Sequence, residues 1–295
     1  MHDAIIIGGS FAGLSAAIYL ARGRHDVAVL DTGTPRNRFS PQSHGFFTHD
    51  GSTPAAMLAT ARAQLQPYET VQLVDGEAVG TTGARDGFSV MLASGEVLEG
   101  RRLILASGVR DILPPIEGLA ERWGVSVLHC PYCHGYEYAD RRLGVLYAGP
   151  ASLHHARLIA NWGPTTLFTN GVEVEGIDTL AALEILVETA PVTALHGADG
   201  GLSHIELAPA RSVPLDALYI APFIEPRGQL ATALGCAMRE APVGSILQVD
   251  ERMMTSVPGV YAAGDVAAFP SMVARAVADG SLAGAMVSQS LIFDT

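Results

Sequence analysis

Lysine is missing from this chain: all 18 of its basic residues are arginine. Schiff-base chemistry on a lysine side chain is therefore excluded. Positive charge is scarce overall, since 30 acidic residues leave a net charge of −12. An acidic chain without a basic patch makes a poor nucleic-acid binder, because phosphate neutralisation supplies most of that affinity. The expected partners are small molecules or another protein. Cysteine is nearly absent, with three residues, too few for a disulfide scaffold. No apolar run is expected to reach the roughly 18 to 20 residues of a membrane span. The start, MHDAIIIGGS, passes straight into a strand-like run with no basic segment before it, so it does not read as a signal peptide. The expected compartment is the cytoplasm, with no membrane partner.

Glycine, by contrast, is abundant at 32 residues, and 48% of the 295 residues are apolar. At this length, such a composition suits an α/β protein of two domains, or one large one, with a sizeable core. The β-branched run AIIIGG predicts a buried parallel strand. Behind it, Leu14, Ala17, Ile18 and Ala21 recur at helical spacing, Gly23 stands as a C-cap, and DVAVLDTG forms a second strand. The turn of this βαβ unit reads Gly8-x-Ser10-x-x-Gly13. Small residues there let a backbone approach a pyrophosphate resting on the helix N-terminus. Asp31 follows about twenty residues on, where a carboxylate accepts hydrogen bonds from a ribose.

Residues 35 to 75 are polar and mixed, and FSVMLASGEVLEGRRLILASG predicts a hairpin followed by a short apolar strand. PPIEG at 114 to 118 reads as a linker, and PFIEPRG as the return crossing. Between them LGVLYAGPASLHHARLIANWG repeats the strand–turn–helix form; His154 and His155 in it read as surface or packing residues. The last stretch, from GVYAAGDV onward, predicts a strand, an acidic turn and a long helix with small residues on one face. Both ends of the chain thus build one discontinuous domain, 1–113 with 223–295, and 114–222 is inserted into it. The expected fold is α/β, with two Rossmann-like domains.

Two of the three cysteines stand in HCPYCHGYE, residues 129 to 137. A zinc site would draw on His129, Cys130, Cys133 and His134, but these crowd into six consecutive residues, with no second CxxC or HxxxH elsewhere. A structural disulfide across so short a loop gains little closure entropy, and the expected compartment is reducing. A redox pair is the favoured reading. Such chemistry needs a thiolate and hence a nearby base. His134, with an imidazole pKa near ~6.5, can take a thiol proton and return it. Glu137 can orient that ring, although either residue can also serve a helix start by packing or charge alone. Cys236, in ALGCAM, reads as a buried hydrophobe.

Taken together, these residues resemble the low-molecular-weight thioredoxin reductases and their relatives. The resemblance runs along essentially the whole chain: GGSFAGLSAA, LILASG at 103 to 108, the central CxxC, then GVYAAGDV at 259 to 266. It implies FAD, held by the N- and C-terminal segments. It implies that Gly8, Ser10 and Gly13 approach the pyrophosphate and that Asp31 holds the adenosine ribose. Asp265, after Gly264, would bond the flavin's sugar-like chain. Met272 and Val273 would face the pyrimidine edge, where a helix N-terminus favours the charge of a reduced flavin. Cys133 would exchange electrons with the flavin, and Cys130 would form the mixed disulfide with a small dithiol, a disulfide or a thioredoxin-like protein. A homodimer is implied as well. CPYCHGYE is also similar to a narrower branch, flavin-dependent oxidases that close disulfides in dithiol natural products. There the histidine after the second cysteine, where thioredoxin reductases generally have aspartate, is the base. Electrons run from dithiol to FAD to oxygen, whereas the reductases draw them from NADPH.

The inserted domain bears on direction. Its turn places Tyr147, Gly149 and Ser152 at the three small-residue positions of a dinucleotide fingerprint, and a tyrosine at the tight turn fills space a pyrophosphate needs. The reductases carry an HRRxxxR pattern beyond the next strand for a 2′-phosphate. Here that place reads LFTNGVEVEG, with Glu173 and Glu175 in or beside it and no arginine or lysine between Leu158 and Ala210. Ordinary NADPH use is not expected, and the same turn counts against NADH. The favoured function is FAD-dependent oxidation of dithiols with oxygen as acceptor. The alternatives are a thioredoxin reductase, fed by NADPH in an unusual mode or by a donor such as ferredoxin, and a flavin-holding redox sensor without turnover.

Overall fold

The computed structural model describes residues 1–293. The chain opens with β1 (His2–Ile7), α1 (Phe11–Arg22) and β2 (Val27–Asp31), and β1 pairs with β2 in parallel, Ala4 opposite Val27. The turn between β1 and α1 is possible only with glycine first. Gly8 has φ +115°, and a Cβ there would come within 2.2 Å of the Ala106 carbonyl oxygen. Gly23 ends α1 in right-handed conformation, φ −77°, rather than as a left-handed cap.

The polar stretch that follows holds two elements that its composition hides. One is α2 (Pro54–Leu65), which buries only Pro54, Met57, Leu58 and Leu65; the other is β3 (Val71–Asp75). Next come β4 (Ala78–Ala84), β5 (Gly87–Leu92), β6 (Val97–Leu105) and β7 (Val109–Ile112). The expected hairpin is β5–β6. Its apolar sequel is no separate strand: residues 103–105 continue β6, which leaves β5 and runs on along β1.

The inserted region supplies β8 (Val127–Leu128), α3 (Pro131–His134), β9 (Leu143–Leu146), α4 (Ala151–Ile159), β10 (Thr165–Phe168) and β11 (Leu186–Glu188). Then follow β12 (Val192–His196), β13 (His204–Leu207), β14 (Arg211–Pro214) and β15 (Ala217–Ile220). Five of these strands form a parallel sheet in the order β11-β10-β9-β15-β8, and β12-β13-β14 form an antiparallel one. The inner strands β9 and β15 are buried throughout, as a sheet covered on both faces requires.

After β16 (Phe223–Pro226) come α5 (Leu230–Ala233), β17 (Met238–Ala241), β18 (Gly244–Leu247), β19 (Val260–Ala262) and α6 (Val273–Phe293). β19 joins β6, completing a seven-stranded sheet ordered β3-β2-β1-β6-β5-β4 apart from it. At 21 residues α6 is long and apolar enough, by length and composition, to cross a membrane, which corrects the expectation that no segment is. Its small-residue face instead packs on α1: a Cβ at Gly280 would lie 2.1 Å from the Ala12 carbonyl oxygen. The two backbones touch.

Two compact units result: residues 1–38, 54–110 and 225 onward in one, 39–53 and 111–224 in the other. The chain changes unit within three residues of the expected boundaries at 113 and 222, with one exception. Segment 39–53, expected in the first domain, packs in the second unit, where Phe39 lies against Gly124 and His44 meets Glu137. Those contacts span some ninety positions in sequence, and no local pattern announces them.

Candidate functional site

β8 delivers the chain to the thiol pair. Cys130 is the N-cap of α3 with extended backbone, φ −108°, and Pro131 occupies the first turn, where its missing N–H costs no hydrogen bond. The Cys133 N–H donates to the Cys130 carbonyl at 3.3 Å. Both thiols are half-buried. Tyr132, between them, stands exposed and edge-on to Trp162, with ring centroids 5.6 Å apart.

His134 closes α3. Burial holds its pKa below the ordinary imidazole value, against the opposing pull of the Glu137 carboxylate; a smaller contribution from His44 acts in the same direction as burial. The ring is therefore neutral at neutral pH, ready to accept a proton. The structure brings His134 and Glu137 together with the two cysteines in one loop. It adds His44, which sequence reasoning missed: Nε2 lies 3.4 Å from Glu137 Oε1. A signal existed only in the cluster of histidines and an acid in SHGFFTHD. Among the described residues no group of three or more His, Cys, Asp or Glu is arranged to hold a metal ion.

Beneath the loop, His154 is exposed and His155 buried. The His155 ring bonds the backbone of His129, the residue before Cys130, yet desolvation still pushes its pKa down to about 4. It stands edge-on to Tyr219, centroids 6.0 Å apart, and Tyr219 lies opposite Leu128 in the sheet. Burial pushes the Tyr219 hydroxyl pKa up. Cys236 is buried and its thiol lies 3.6 Å from Thr255 Oγ1; desolvation raises its pKa. That is the environment of an inert thiol.

The first unit holds the residues assigned to FAD. Ser10 caps α1 without a side-chain hydrogen bond, and the first turn carries no acid, so its N–H groups face any anion docking there. Asp31 lies over Gly9, where a Cβ would come within 2.6 Å of its Cβ, accepts the Gly33 N–H at 3.1 Å and pairs with Arg62. Asp31, Thr32, Gly33, Asp75, Gly76 and Glu77 line a cleft of about 340 Å³ at the ends of β2 and β3. Asp265, after Gly264 with φ +77°, is held by Arg36 at 3.0 Å, and Arg36 also donates to Ser271 at 2.9 Å. Met272 is half-exposed, its carbonyl accepts the Ala276 N–H, and Val273 begins α6. An open helix N-terminus for a diphosphate and an acid for a ribose fit FAD. Arg36 and Arg62 were not foreseen, because nothing near them in sequence names their carboxylates.

The corresponding turn of the second unit is built differently. Ser152 accepts the Ala148 N–H on its hydroxyl at 3.0 Å, and the Tyr147 N–H donates to Phe168 O at 2.9 Å. The Ser152 side chain thus occupies the Ala148 N–H, a bond the Ser10 side chain does not make in the first turn. Arg157, the last arginine before residue 211, donates to Thr179 Oγ1 at 2.5 Å.

Against known proteins, the profile described as pyridine nucleotide-disulphide oxidoreductase matches residues 2–280. Thioredoxin reductase tcpT of Claviceps purpurea is 36% identical, over 99% of this chain and 95% of its own. Among solved structures, an oxidoreductase from Agrobacterium tumefaciens superposes with TM-score 0.95 at 42% identity, covering 100% of this chain and 99% of that one. HlmI superposes with TM-score 0.92 at 38% identity, covering 99% and 93%.

Proposed function

Because the chain belongs to the pyridine nucleotide-disulphide oxidoreductase family, and is a disulfide oxidoreductase of thioredoxin-reductase-like fold, we propose that it runs as an FAD-dependent dithiol oxidase. The net reaction is dithiol plus O₂ to disulfide plus H₂O₂. FAD held by Gly8, Ser10, Gly13, Asp31, Asp265 and the start of α6 would supply a two-electron acceptor. A substrate thiolate attacks Cys130 of the oxidised pair, the sulfur–sulfur bond to Cys133 breaks, and a mixed disulfide forms. The substrate's second thiol then closes its own disulfide and releases Cys130. His134, neutral and beside Cys133, accepts the thiol proton, and Glu137 steadies the imidazolium so formed.

The observation that carries the direction is the β9–α4 turn. A tyrosine stands where the first turn has Gly8, the Ser152 hydroxyl takes up the Ala148 N–H, and no arginine or lysine lies between Leu158 and Ala210 to meet a 2′-phosphate. A second reading, thioredoxin reductase, is favoured by the name of the tcpT relative. The purified yellow protein, mixed anaerobically with NADPH and separately with dithiothreitol, distinguishes them. Bleaching by dithiol alone, with peroxide on re-aeration, is the expected result. Bleaching by NADPH within seconds would overturn it.

A further inference from the structure

His44 is clasped from both sides. Its Nε2 lies 3.4 Å from Glu137 Oε1 and its Nδ1 3.5 Å from Asp50 Oδ2. Asp50 is itself fixed, since its other oxygen accepts the Gly45 N–H at 2.8 Å, and this bond, with His44, keeps its carboxyl below the usual range. Backbone bonds from Ser43 N to Ser52 O and from Gly51 N to Ser43 O, each 2.9 Å, close the loop that carries both side chains. The ring is therefore oriented within its own loop before it reaches Glu137.

A lone exposed histidine–carboxylate pair contributes little to stability. Here the carboxylate is shared. Glu137 and His44 both bear on the His134 ring, and they act in opposite senses. A neutral imidazole has one N–H and can satisfy one carboxylate as donor, whereas an imidazolium satisfies both Asp50 and Glu137.

We propose that His44 is a positioning residue of the thiol site: anchored by Asp50, it holds Glu137 and limits how much of that carboxylate's charge reaches His134, so that His134 stays available as the base for Cys133. This rests on the dithiol-oxidation reading for its purpose, though not for its geometry. No covalent bond changes at His44, and the proton moved in turnover remains the one between sulfur and His134.

The test is an NMR titration of ring-labelled histidines in the FAD-loaded protein, with His134 assigned by its loss in H134Q. H44Q keeps a donor to Glu137 and removes the ring that bears on His134, so the His134 midpoint should rise by about half a pH unit. D50N loosens the anchor that orients the His44 ring and should raise the midpoint by less. E137Q should lower it. A His134 midpoint equal to wild type in H44Q would overturn the proposal; should H44Q fail to fold, an unmoved midpoint in D50N does so instead. Anaerobic reduction by dithiothreitol, followed in the same samples, separates the two ideas. An unbleached wild type removes the oxidase function and leaves the His134 titration to decide the relay.

Discussion

At His155 burial outweighs the bond to the His129 backbone and, with a smaller contribution from His154, holds the pKa at about 4 against about 6.5 in an unfolded chain. Between those values the unfolded state binds the extra proton, so stability falls as pH drops through that window and is unaffected well above it. From pH 7 to pH 5 this one residue should cost about 2 kcal/mol. Urea midpoints at the two pH values, compared between wild type and His155→Phe, measure it; an undiminished pH dependence in the variant would refute the assignment. The thiols give a second test at this scale. Cys133→Ser should keep FAD bound and lose all dithiol-driven bleaching in anaerobic spectra. Cys130, Cys133, His134 and Glu137 could be picked out as a candidate set because they stand within a few positions of one another. His155 could not: its burial beside Tyr219 is set by a strand more than sixty residues away.

Among the elements, α1 against α6 is the tightest test of packing. A side chain at Gly280 would collide with backbone rather than with a flexible side chain, so the helices must part. Gly280→Val should destabilise by roughly 1–3 kcal/mol, seen as a lower Tm. No change in Tm would mean the helices are not in backbone contact. The strands and helices with strong periodicity, such as β1, α1 and β9–α4, were legible in sequence. In contrast, α2 was not, since its buried positions are few and its exposed ones include many alanines. The continuity of β6 was also hidden, because the strand changes partner midway and its pattern changes with it.

For the molecule as a whole, the unit assigned to FAD is assembled from three separate stretches of chain. A ligand bound across them should hold them together by mass action, contributing about 2.7 kcal/mol at a hundredfold excess over Kd. Stripping FAD should therefore lower Tm, and added FAD should restore it in a concentration-dependent way; a Tm indifferent to FAD would count against the assigned residues. Local chain chemistry was enough to single out the glycine-led turn at Gly8, the CxxC as a candidate redox pair, and the stretch without arginine or lysine between Leu158 and Ala210. Each is a property of residues close together in sequence. The meetings of Arg36 with Asp265, 229 residues apart, of Arg62 with Asp31 and of His44 with Glu137 came from folding alone. A charged side chain carries no mark of its partner until the backbone has brought the two together.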